Sequence, residues 1–245
     1  MMQAMIFAAG LGTRLKPITD TKPKALVEVG GMSLLRRVIM NLKHAGAERI
    51  IVNVHHFADQ IISYLEENDN FGVDICVSDE TNMLLDTGGA VKKAASLLMP
   101  NAPLLIHNVD IISNVDMQEF YKKALSHDAT LLVSNRKTSR HLLFDDNMRL
   151  VGWENSLTGE VRSPFKSLEI GNCRKLAFSG IHVLSPKLIA AMSSFPDKFG
   201  IVNFYLKVCA ANNIFGLYDD NLKLIDVGKA DTLAVAEDFI EKLCN

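Results

Sequence analysis

Short apolar runs alternate with amphipathic stretches over the first 135 residues, and this alternation constrains the fold more than any other feature. Each run has the length of a buried strand and falls far short of the roughly 20 residues that a membrane span needs. The runs are residues 4–9, 50–54, 73–77, 103–107 and 130–134. Strands that alternate with helices pair in parallel, so the sequence predicts an α/β fold with a Rossmann-like, mixed but mostly parallel central sheet flanked by helices.

The amphipathic stretches carry helix signals. Ser33 is the expected N-cap of a helix with one apolar face, and Gly46 closes that helix. Further helices are expected at residues 58–66, 90–98 and 117–125. Thr87 is the expected N-cap of the helix at 90–98, and the neighbouring Gly88 and Gly89 permit a close backbone approach where the helix dipole favours anions. A flexible helix cap is the alternative interpretation.

The pattern changes from about residue 136. The sequence then predicts an antiparallel hairpin, an irregular mobile loop, a strand, two helices, a second hairpin and a closing amphipathic helix. These elements are residues 142–144 with 150–153, 155–174, 176–184, 185–192, 201–212, 215–218 with 222–225, and 233–243. No stretch has the character of a linker, so residues 1–245 are expected to form one domain.

Composition and charge exclude several classes of partner. A hydrophobic fraction of 48% and a charged fraction of 22% are ordinary for a globular protein, and a net charge of −2 gives no reason to expect nucleic acid or an anionic membrane. The four cysteines are scattered, without the spacing of a zinc site or a disulfide framework. Without a secretory signal or a membrane-spanning run, a cytoplasmic protein is expected.

The loop after the first apolar run combines glycines with cations. Gly10 and Gly12 leave the backbone free to adopt a positive φ and to approach a ligand closely, and successive N–H groups in such a turn form a cradle for an anion. The loop carries four cations against one carboxylate: Arg14, Lys16, Lys22 and Lys24, with Asp20. The combination predicts a polyphosphate site, and an ordinary solvated loop is the alternative.

Two well-known phosphate-binding motifs do not fit this loop. The third glycine of the dinucleotide fingerprint would fall on Leu15, and no ribose-binding acid follows at the required distance. The other motif needs Gly-Lys-Ser/Thr at its end, which the loop lacks.

Two carboxylates follow predicted strands. Asp110 follows the strand at 103–107, and Asp226 follows the second hairpin. The carboxyl ends of parallel strands bind ligands in α/β folds, and carboxylate oxygens suit Mg²⁺. A capping role is the alternative for Asp110, and the acidic pairs at 145–146 and 219–220 are assigned to turns.

Several of these segments together resemble the signature of the sugar-1-phosphate nucleotidyltransferases. They are Gly10-Leu11-Gly12-Thr13-Arg14 with Pro17 and Pro23-Lys24, Leu85-Asp86-Thr87-Gly88-Gly89, Asn108-Val109-Asp110 and Asp226-Val227-Gly228. The resemblance covers nearly the whole chain and implies the nucleotide-diphospho-sugar transferase fold. It also implies Mg²⁺-dependent transfer of a nucleotidyl group from an NTP to a sugar-1-phosphate, giving an NDP-sugar and pyrophosphate.

The resemblance also implies roles for individual residues. Residues 1–135 would form the nucleotide-binding half and residues 136–245 the sugar-phosphate-binding half. Arg14 and Lys24 would be catalytic, while Asp110 and Asp226 would hold Mg²⁺. Nucleotide contacts are expected from Ala8, Ala9, Gly10, Gly12, Thr13, Thr87 and Gly88. Sugar contacts are expected from Asn108, Glu154, Ser179 and Gly180.

Two positions depart from the family pattern. Val109 replaces a glycine, and a β-branched residue does not adopt a positive φ at low cost. Asn155 stands where the family often has a lysine on the sugar phosphate, so an Arg or Lys from elsewhere would have to replace it. Two alternatives therefore stay open: transfer to phosphocholine or another small phosphate acceptor, and a catalytically degenerate regulatory subunit of the same fold.

The length of the chain resembles that of the compact family members, which make UDP-N-acetylmuramic acid or GDP-mannose-like sugars for cell walls and polysaccharides. A monomer or a homodimer is expected. The base and the sugar are left open at this stage.

Overall fold

The computed structural model, which describes residues 1–229 and 231–244, centres on strand β1 (Met2–Phe7). β1 lies between two parallel neighbours, β4 (Ala47–Val54) and β6 (Leu104–Asn108), and β4 pairs in parallel with β5 (Asp74–Asp79). Both faces of β1 are buried, which explains its continuous apolar run. The strand ends at Phe7, so the predicted strand at 4–9 was too long and its last two residues belong to the next loop.

The second half of the chain extends this sheet with antiparallel strands. The long strand β12 (Arg174–Leu184) pairs with β6, with β8 (Ala129–Ser134) and with β9 (Arg140–Phe144). Outside β9 lie β10 (Leu150–Asn155) and β11 (Glu160–Arg162). The ten-stranded sheet has the order β11-β10-β9-β12-β6-β1-β4-β5, with β8 beside β12 and β13 (Ile214–Tyr218) beside β8. The expected mixed sheet with a parallel centre is therefore confirmed.

Seven α-helices among the described residues cover the two faces of the sheet. They are α1 (Leu34–His44), α2 (Ala58–Glu67), α3 (Asp86–Ala94), α4 (Met117–Ala124), α5 (Pro186–Ala191), α6 (Ile201–Val208) and α7 (Asp231–Cys244). Helices α1, α2, α4 and α7 pack in one apolar cluster, and α3, α5 and α6 pack in the other. The flanking helices of the predicted fold are therefore present on both sides.

Side-chain caps bear out some helix predictions and correct one. Ser33 Oγ accepts a hydrogen bond from Arg36 N–H (3.1 Å) at the start of α1, and Gly46 follows that helix with a φ of 92°. Thr87 is not the N-cap of α3, because the helix already begins at Asp86 and Thr87 lies in its first turn. Two predicted helices were too long: α3 ends at Ala94 rather than at 98, and α6 ends at 208 rather than at 212.

The hairpin around Asp145 is confirmed. β9 and β10 are antiparallel, and Asp145 Oδ1 accepts hydrogen bonds from the N–H groups of Asn147 (3.0 Å) and Arg149 (2.8 Å). The segment at 155–174 is less irregular than predicted, because its residues Glu160–Arg162 form β11 and pair with β10.

The predicted second hairpin is wrong. β13 (Ile214–Tyr218) pairs in parallel with β8, whereas β14 (Leu224–Asp226) pairs antiparallel with β7 (Ile111–Ser113) in a separate sheet. The two apolar runs therefore pair with strands distant in sequence, since the choice of partner depends on which strand edges the fold leaves open. A small hairpin of β2 (Glu28–Val29) and β3 (Met32–Ser33) completes the strands.

The sequence predicted neither a membrane-spanning helix nor a disulfide framework. No helix among residues 1–229 and 231–244 is long and apolar enough to cross a membrane. Cys76, Cys173 and Cys209 are free thiols. The division into a nucleotide-binding and a sugar-phosphate-binding half stays a prediction.

Candidate active site

A cavity of about 580 Å³ opens at the carboxyl ends of β1, β4, β5 and β6. Parallel strands place loops from several parts of the chain at this edge. The predicted site residues that line the cavity are Ala8, Ala9, Gly10, Gly12, Thr13, Arg14, Lys24, Thr87, Asn108 and Asp110. The predicted residues outside its lining are Gly88, Glu154, Ser179, Gly180 and Asp226.

Gly12 has the backbone conformation that the sequence suggested for the first loop. Its φ is 64°, and a Cβ there would lie 2.9 Å from Thr19 Cγ2. The Thr19 hydroxyl donates to the Gly12 carbonyl oxygen (2.8 Å), which fixes the turn. Gly10 differs, because its φ is not positive and a Cβ at this position would meet no atom within 4 Å. Only Gly12 is therefore required by the geometry of the loop itself.

Two of the four loop cations reach the cavity. Arg14 lies in a short 3-10 helix (Thr13–Leu15), and Lys24 begins another (Lys24–Leu26). Lys16 instead forms an exposed ion pair with Asp20 (3.0 Å), and Lys22 does not line the cavity. The site therefore contains only two of the four positive charges that the sequence placed in this loop.

Lys24 and Asp110 form an ion pair within the cavity. The Lys24 ammonium contacts Asp110 Oδ2, and the two side chains are only 9% and 18% exposed. Removing two charges from water is costly unless they neutralise each other, so the pair holds each side chain in place. A cation and a carboxylate are thereby fixed at the end of β6.

Strand β14 brings Asp226 to the same place. Asp226 pairs with Ile111 in the β14–β7 ladder, and the next N–H group, that of Val227, donates to the Asp110 carbonyl oxygen (2.8 Å). The absence of a side chain at Gly228 matters here, because a Cβ would lie 2.6 Å from Asp226 Oδ1 and 3.0 Å from a guanidinium nitrogen of Arg14. The structure therefore brings both predicted metal-binding carboxylates and Arg14 together.

Asp226 has an altered pKa and a buried oxygen without a hydrogen-bond partner among the described residues. Burial and the charge of Asp110 raise the pKa of the Asp226 carboxyl above its ordinary value. The cations that oppose this rise are Lys24, Arg136 and Arg14. Asp226 Oδ1 is buried and has no hydrogen-bond partner among the described residues. Such an oxygen is suited to accept a ligand, because a buried acceptor without a partner is otherwise costly.

Val109 does not distort the segment before Asp110. Its φ is not positive, its side chain is buried in the core, and its N–H group donates to the Phe7 carbonyl oxygen (3.2 Å). The replacement of the family's glycine therefore costs no backbone strain here.

The N–H groups of Ala8 and Ala9 are not free to bind a nucleotide. Both donate to Asn53 Oδ1, at 2.8 and 3.4 Å. Asn53 and Glu80 also line the cavity, and sequence reasoning missed both. One signal was present: each stands at the carboxyl end of a parallel strand, the position that identified Asp110.

The segment at the start of α3 has two separate roles. Thr87 lines the cavity, and its hydroxyl oxygen accepts a hydrogen bond from Ile201 N–H (2.9 Å) at the start of α6. The N–H groups of Gly88 and Gly89 donate to the Phe199 carbonyl oxygen (2.8 and 3.1 Å). A side chain at Gly88 would overlap the Phe199 ring. The two glycines therefore allow close packing of α3 against the segment before α6, and the Gly88 N–H is already bonded.

The expected sugar-binding residues lie on and around β12. Gly180 has a φ of 74°, and a Cβ there would lie 2.7 Å from Asn108 Nδ2, so its missing side chain makes room for Asn108. Asn108 itself lines the cavity. Ser179 is fully buried, and its hydroxyl has no partner among the described residues.

Two cations contact segments that carry expected sugar-binding residues, and both are candidates to replace the lysine absent at 155. The Lys175 ammonium contacts Glu154 Oε2 (2.8 Å), and Glu154 is itself buried. Arg136 follows β8, is exposed, and donates to the Phe178 carbonyl oxygen (3.0 Å), one residue before Ser179. The charge of Arg136 also lowers the pKa of the Asp226 carboxyl, against the effects of burial and of Asp110.

His182 is completely buried and contacts the Tyr205 hydroxyl through Nδ1. Burial lowers its pKa to about 3, with a further contribution from His107. Burial also lowers the pKa of His107 to about 4. Both imidazoles are therefore neutral near pH 7.

Comparison with known proteins identifies the family. The family model for nucleotidyl transferases matches residues 3–144, more than half of the chain. N-acetylmuramate alpha-1-phosphate uridylyltransferase of Caulobacter vibrioides is 32% identical over 227 residues, which are 89% of this chain and 89% of that relative. Mannose-1-phosphate guanyltransferase of Kluyveromyces lactis is 29% identical over 190 residues, which are 77% of this chain and 51% of that relative.

A solved structure has the same fold. HddC from Yersinia pseudotuberculosis, in complex with GMP-PN, has a TM-score of 0.77 at 24% identity, and the match covers 98% of this chain and 100% of HddC. The chain therefore belongs to the nucleotidyl transferase family, whose relatives named here are sugar-phosphate nucleotidyltransferase enzymes. The resemblance seen in the sequence is confirmed.

Proposed function

We propose that this chain transfers a nucleotidyl group from an NTP to a sugar-1-phosphate and releases pyrophosphate. The observation that carries the proposal is the meeting of Arg14, Lys24 and Asp110 in one cavity, with Asp226 beside Asp110. Membership of the nucleotidyl transferase family supports it.

The reaction needs positioning and positive charge more than acid–base groups. An oxygen of the sugar phosphate attacks the α-phosphorus of the NTP, and the bond from that phosphorus to the bridging oxygen of pyrophosphate breaks. The nucleophile is already an anion, so no general base is required. Arg14 is suited to hold the leaving phosphates through two parallel hydrogen bonds, and Lys24 to neutralise the α-phosphate as a compact charge.

Asp110 and Asp226 would hold Mg²⁺ in this proposal. Carboxylate oxygens are the ligands that Mg²⁺ prefers, and the unpartnered buried oxygen of Asp226 fits such a ligand. Among the residues that the structure describes, no group of three or more His, Cys, Asp or Glu is placed to hold a metal. Phosphate oxygens and water would therefore complete the coordination, as is usual for Mg²⁺. When bound, the ion would supply positive charge to the phosphates.

We assign the phosphate of the acceptor sugar to Arg136. This side chain is exposed, is held at β12 through the Phe178 carbonyl oxygen (3.0 Å), and its charge lowers the pKa of Asp226. Lys175 is already paired with buried Glu154 (2.8 Å), so it orients that carboxylate towards the sugar hydroxyls.

The relatives suggest which substrates to test first. The Caulobacter relative is named for N-acetylmuramate 1-phosphate and uridylyl transfer, and the Kluyveromyces relative for mannose-1-phosphate and guanylyl transfer. UTP with N-acetylmuramate 1-phosphate is our first pair, which would make the product a cell-wall precursor. The second pair is GTP with mannose-1-phosphate. A cytoplasmic location and a monomeric or homodimeric state remain predictions.

The test is a matrix of four NTPs against phosphocholine and the 1-phosphates of N-acetylmuramic acid, mannose, glucose and heptose. Pyrophosphate release is measured with Mg²⁺ and with a chelator. We expect turnover for one NTP with one or two sugars, and loss of that turnover with the chelator. Turnover with phosphocholine alone would favour the alternative acceptor. A folded protein that releases no pyrophosphate with any pair would favour the regulatory subunit.

A further inference from the structure

Glu80 is a buried carboxylate that lines the cavity. It follows β5 directly and is 1% exposed. None of the ion pairs among the described residues includes it. Its two oxygens instead accept hydrogen bonds from neutral groups: Oε1 from Asn53 Nδ2 (2.7 Å) and Oε2 from Leu85 N–H (3.1 Å). A buried carboxylate held in this way needs both donors.

Glu80 determines which way the Asn53 amide points. A carboxylate oxygen only accepts hydrogen bonds, so the NH₂ group of Asn53 must face Glu80. The amide oxygen of Asn53 then faces the first loop, where it accepts from Ala8 N–H (2.8 Å) and Ala9 N–H (3.4 Å). The Glu80 carboxylate therefore sets the direction of the hydrogen bonds that Asn53 makes with Glu80, Ala8 and Ala9.

The backbone of Glu80 is fixed as firmly as its side chain. Its N–H donates to the Val54 carbonyl oxygen (2.8 Å), and its carbonyl oxygen accepts from His55 Nδ1 (2.7 Å) and from Met83 N–H (2.9 Å). Leu85, which donates to the carboxylate, stands immediately before α3 and the cavity residue Thr87. Glu80 therefore connects two walls of the cavity, the loop after β1 and the start of α3.

We propose that Glu80 and Asn53 are a positioning pair for the nucleoside part of the NTP. The pair holds the backbone of Ala8 and Ala9 at the distance from Leu84 and Thr87 that a base and ribose require. It acts through these neighbours and does not touch the reacting phosphates. The inference rests on the proposed function, because it assigns the nucleoside to this part of the same cavity.

An exchange of amide and carboxylate tests the pair. In Asn53→Asp alone, two buried carboxylates face each other. In Glu80→Gln alone, the new NH₂ group faces a second donor, either the Asn53 amide or Leu85 N–H. In the double variant the pattern is restored with the same net charge. Asp at 53 accepts from both alanine N–H groups, and Gln at 80 donates to that Asp and accepts from Leu85 N–H.

The measurements are calorimetric titration of UTP and GTP with Mg²⁺ and no sugar phosphate, and KM and kcat for the active pair. We expect each single variant to weaken NTP binding about tenfold or more, with the larger change in KM for the NTP, because a buried donor or acceptor loses its partner. The double variant should return to within about threefold of wild type. Ser78→Ala, at a buried β5 residue outside the cavity, is the control and should bind as wild type does.

Amide hydrogen exchange at Ala8 and Ala9 gives a readout without any nucleotide. Protection should fall in the single variants and return in the double variant. A single variant that fails to fold but is rescued by the second substitution supports the pair. Single variants with wild-type NTP affinity, or a double variant no better than the worse single variant, would overturn it. Wild-type protein that binds NTP without turnover would count against the proposed function alone.

Discussion

In the proposed function, two carboxylates and two cations account for the chemistry at the scale of single residues. Asp226 is partly buried, and the charge of Asp110 disfavours the ionised form of Asp226. Lys24 neutralises Asp110 directly, whereas Asp226 Oδ1 has no partner among the described residues. The protein alone therefore leaves this corner short of positive charge, which a substrate-bound cation can supply.

Lys24→Met should lower kcat by about 100-fold or more, because the lost charge faces the phosphates at the step where negative charge is redistributed. The KM for the NTP should change less. Steady-state pyrophosphate release measures both. Lys16→Met is the matched control from the same loop, since Lys16 pairs with Asp20 outside the cavity. A near-normal kcat in Lys24→Met would show that this lysine serves only to hold Asp110.

Asp226→Asn should abolish turnover without destabilising the protein. The raised pKa of Asp226 means that its ionised form is disfavoured in the folded chain, so a neutral amide of the same shape removes an unfavourable charge. Urea unfolding in the presence of a chelator should give a free energy of unfolding equal to or above that of wild type. Asp219→Asn, in a surface turn, is the control. An active Asp226→Asn enzyme would remove this carboxylate from the metal site.

Arg136→Met should raise the KM for the sugar phosphate about tenfold and leave the KM for the NTP nearly unchanged, because a charge-assisted hydrogen bond to a phosphate is lost. Lys137→Met, at the exposed neighbour, is the comparison. Equal effects of both substitutions would indicate general electrostatic attraction rather than a specific contact.

Residues within a continuous motif were predictable, and residues that act through partners were not. Residues 10–14, Lys24 and Asp110 were found because their types and positions fit phosphate and Mg²⁺ chemistry, and Thr87 was found through the resemblance to the family. All of them line the cavity. The bonding of the Ala8 and Ala9 N–H groups to Asn53 was not foreseen, because a single asparagine 45 residues away carries no local signal. The role of Lys175 beside Glu154 likewise depends on the register of β12 against β9.

At the scale of elements, the contact between α3 and the segment before α6 connects two regions of the molecule. One carbonyl oxygen, that of Phe199, accepts from both Gly88 and Gly89, and Thr87 accepts from Ile201 N–H. Gly200, which lies between these contacts, lines the cavity. Packing at this contact therefore sets the position of one wall of the site.

Gly88→Ala should destabilise the protein by about 1–3 kcal/mol or more, because the added methyl overlaps the Phe199 ring in a packed core. Urea unfolding measures the change. Gly171→Ala is the control, since a Cβ there meets nothing within 4 Å and the change should stay within about 0.5 kcal/mol. Equal stability of the two variants would mean that the Phe199 ring moves to accommodate the added methyl group at little cost.

Element types were easier to predict than element partners. The periodicity of α1 and α2 and the buried runs of β1, β4 and β6 identified these elements within a few residues. The pairing of β13 with β8 and of β14 with β7 could not be foreseen, since adjacent strands with a turn between them favour a hairpin. The local sequence pattern of a strand carries no information about which strands elsewhere in the fold have an unpaired edge.

At the scale of the whole molecule, two buried histidines link folding to pH. His107 and His182 have pKa values lowered by burial to about 4 and about 3, against an ordinary value near 6.5. Below pH 6.5 the unfolded chain binds protons that the folded chain does not, so the folded state loses stability as the pH falls. The full stability from these groups is present above pH 6.5.

The free energy of unfolding should therefore fall between pH 6.5 and pH 4, with a limiting slope of about 1.4 kcal/mol per pH unit for each histidine. Urea titrations at pH 7.5, 6.0 and 5.0 measure it. His182→Asn should make the dependence shallower, and exposed His44→Asn is the control. An unchanged slope in His182→Asn would mean that His182 is protonated within the folded protein.

The pairing of β14 with β7 also determines when an active molecule first exists during synthesis. The strands around β1 and the loop with Arg14 and Lys24 are made before β14, and Asp226 is made more than a hundred residues after Asp110. A nascent chain can thus form the nucleotide wall while lacking its second carboxylate. In the proposed function, activity therefore arises only after β14 has been made and has paired with β7.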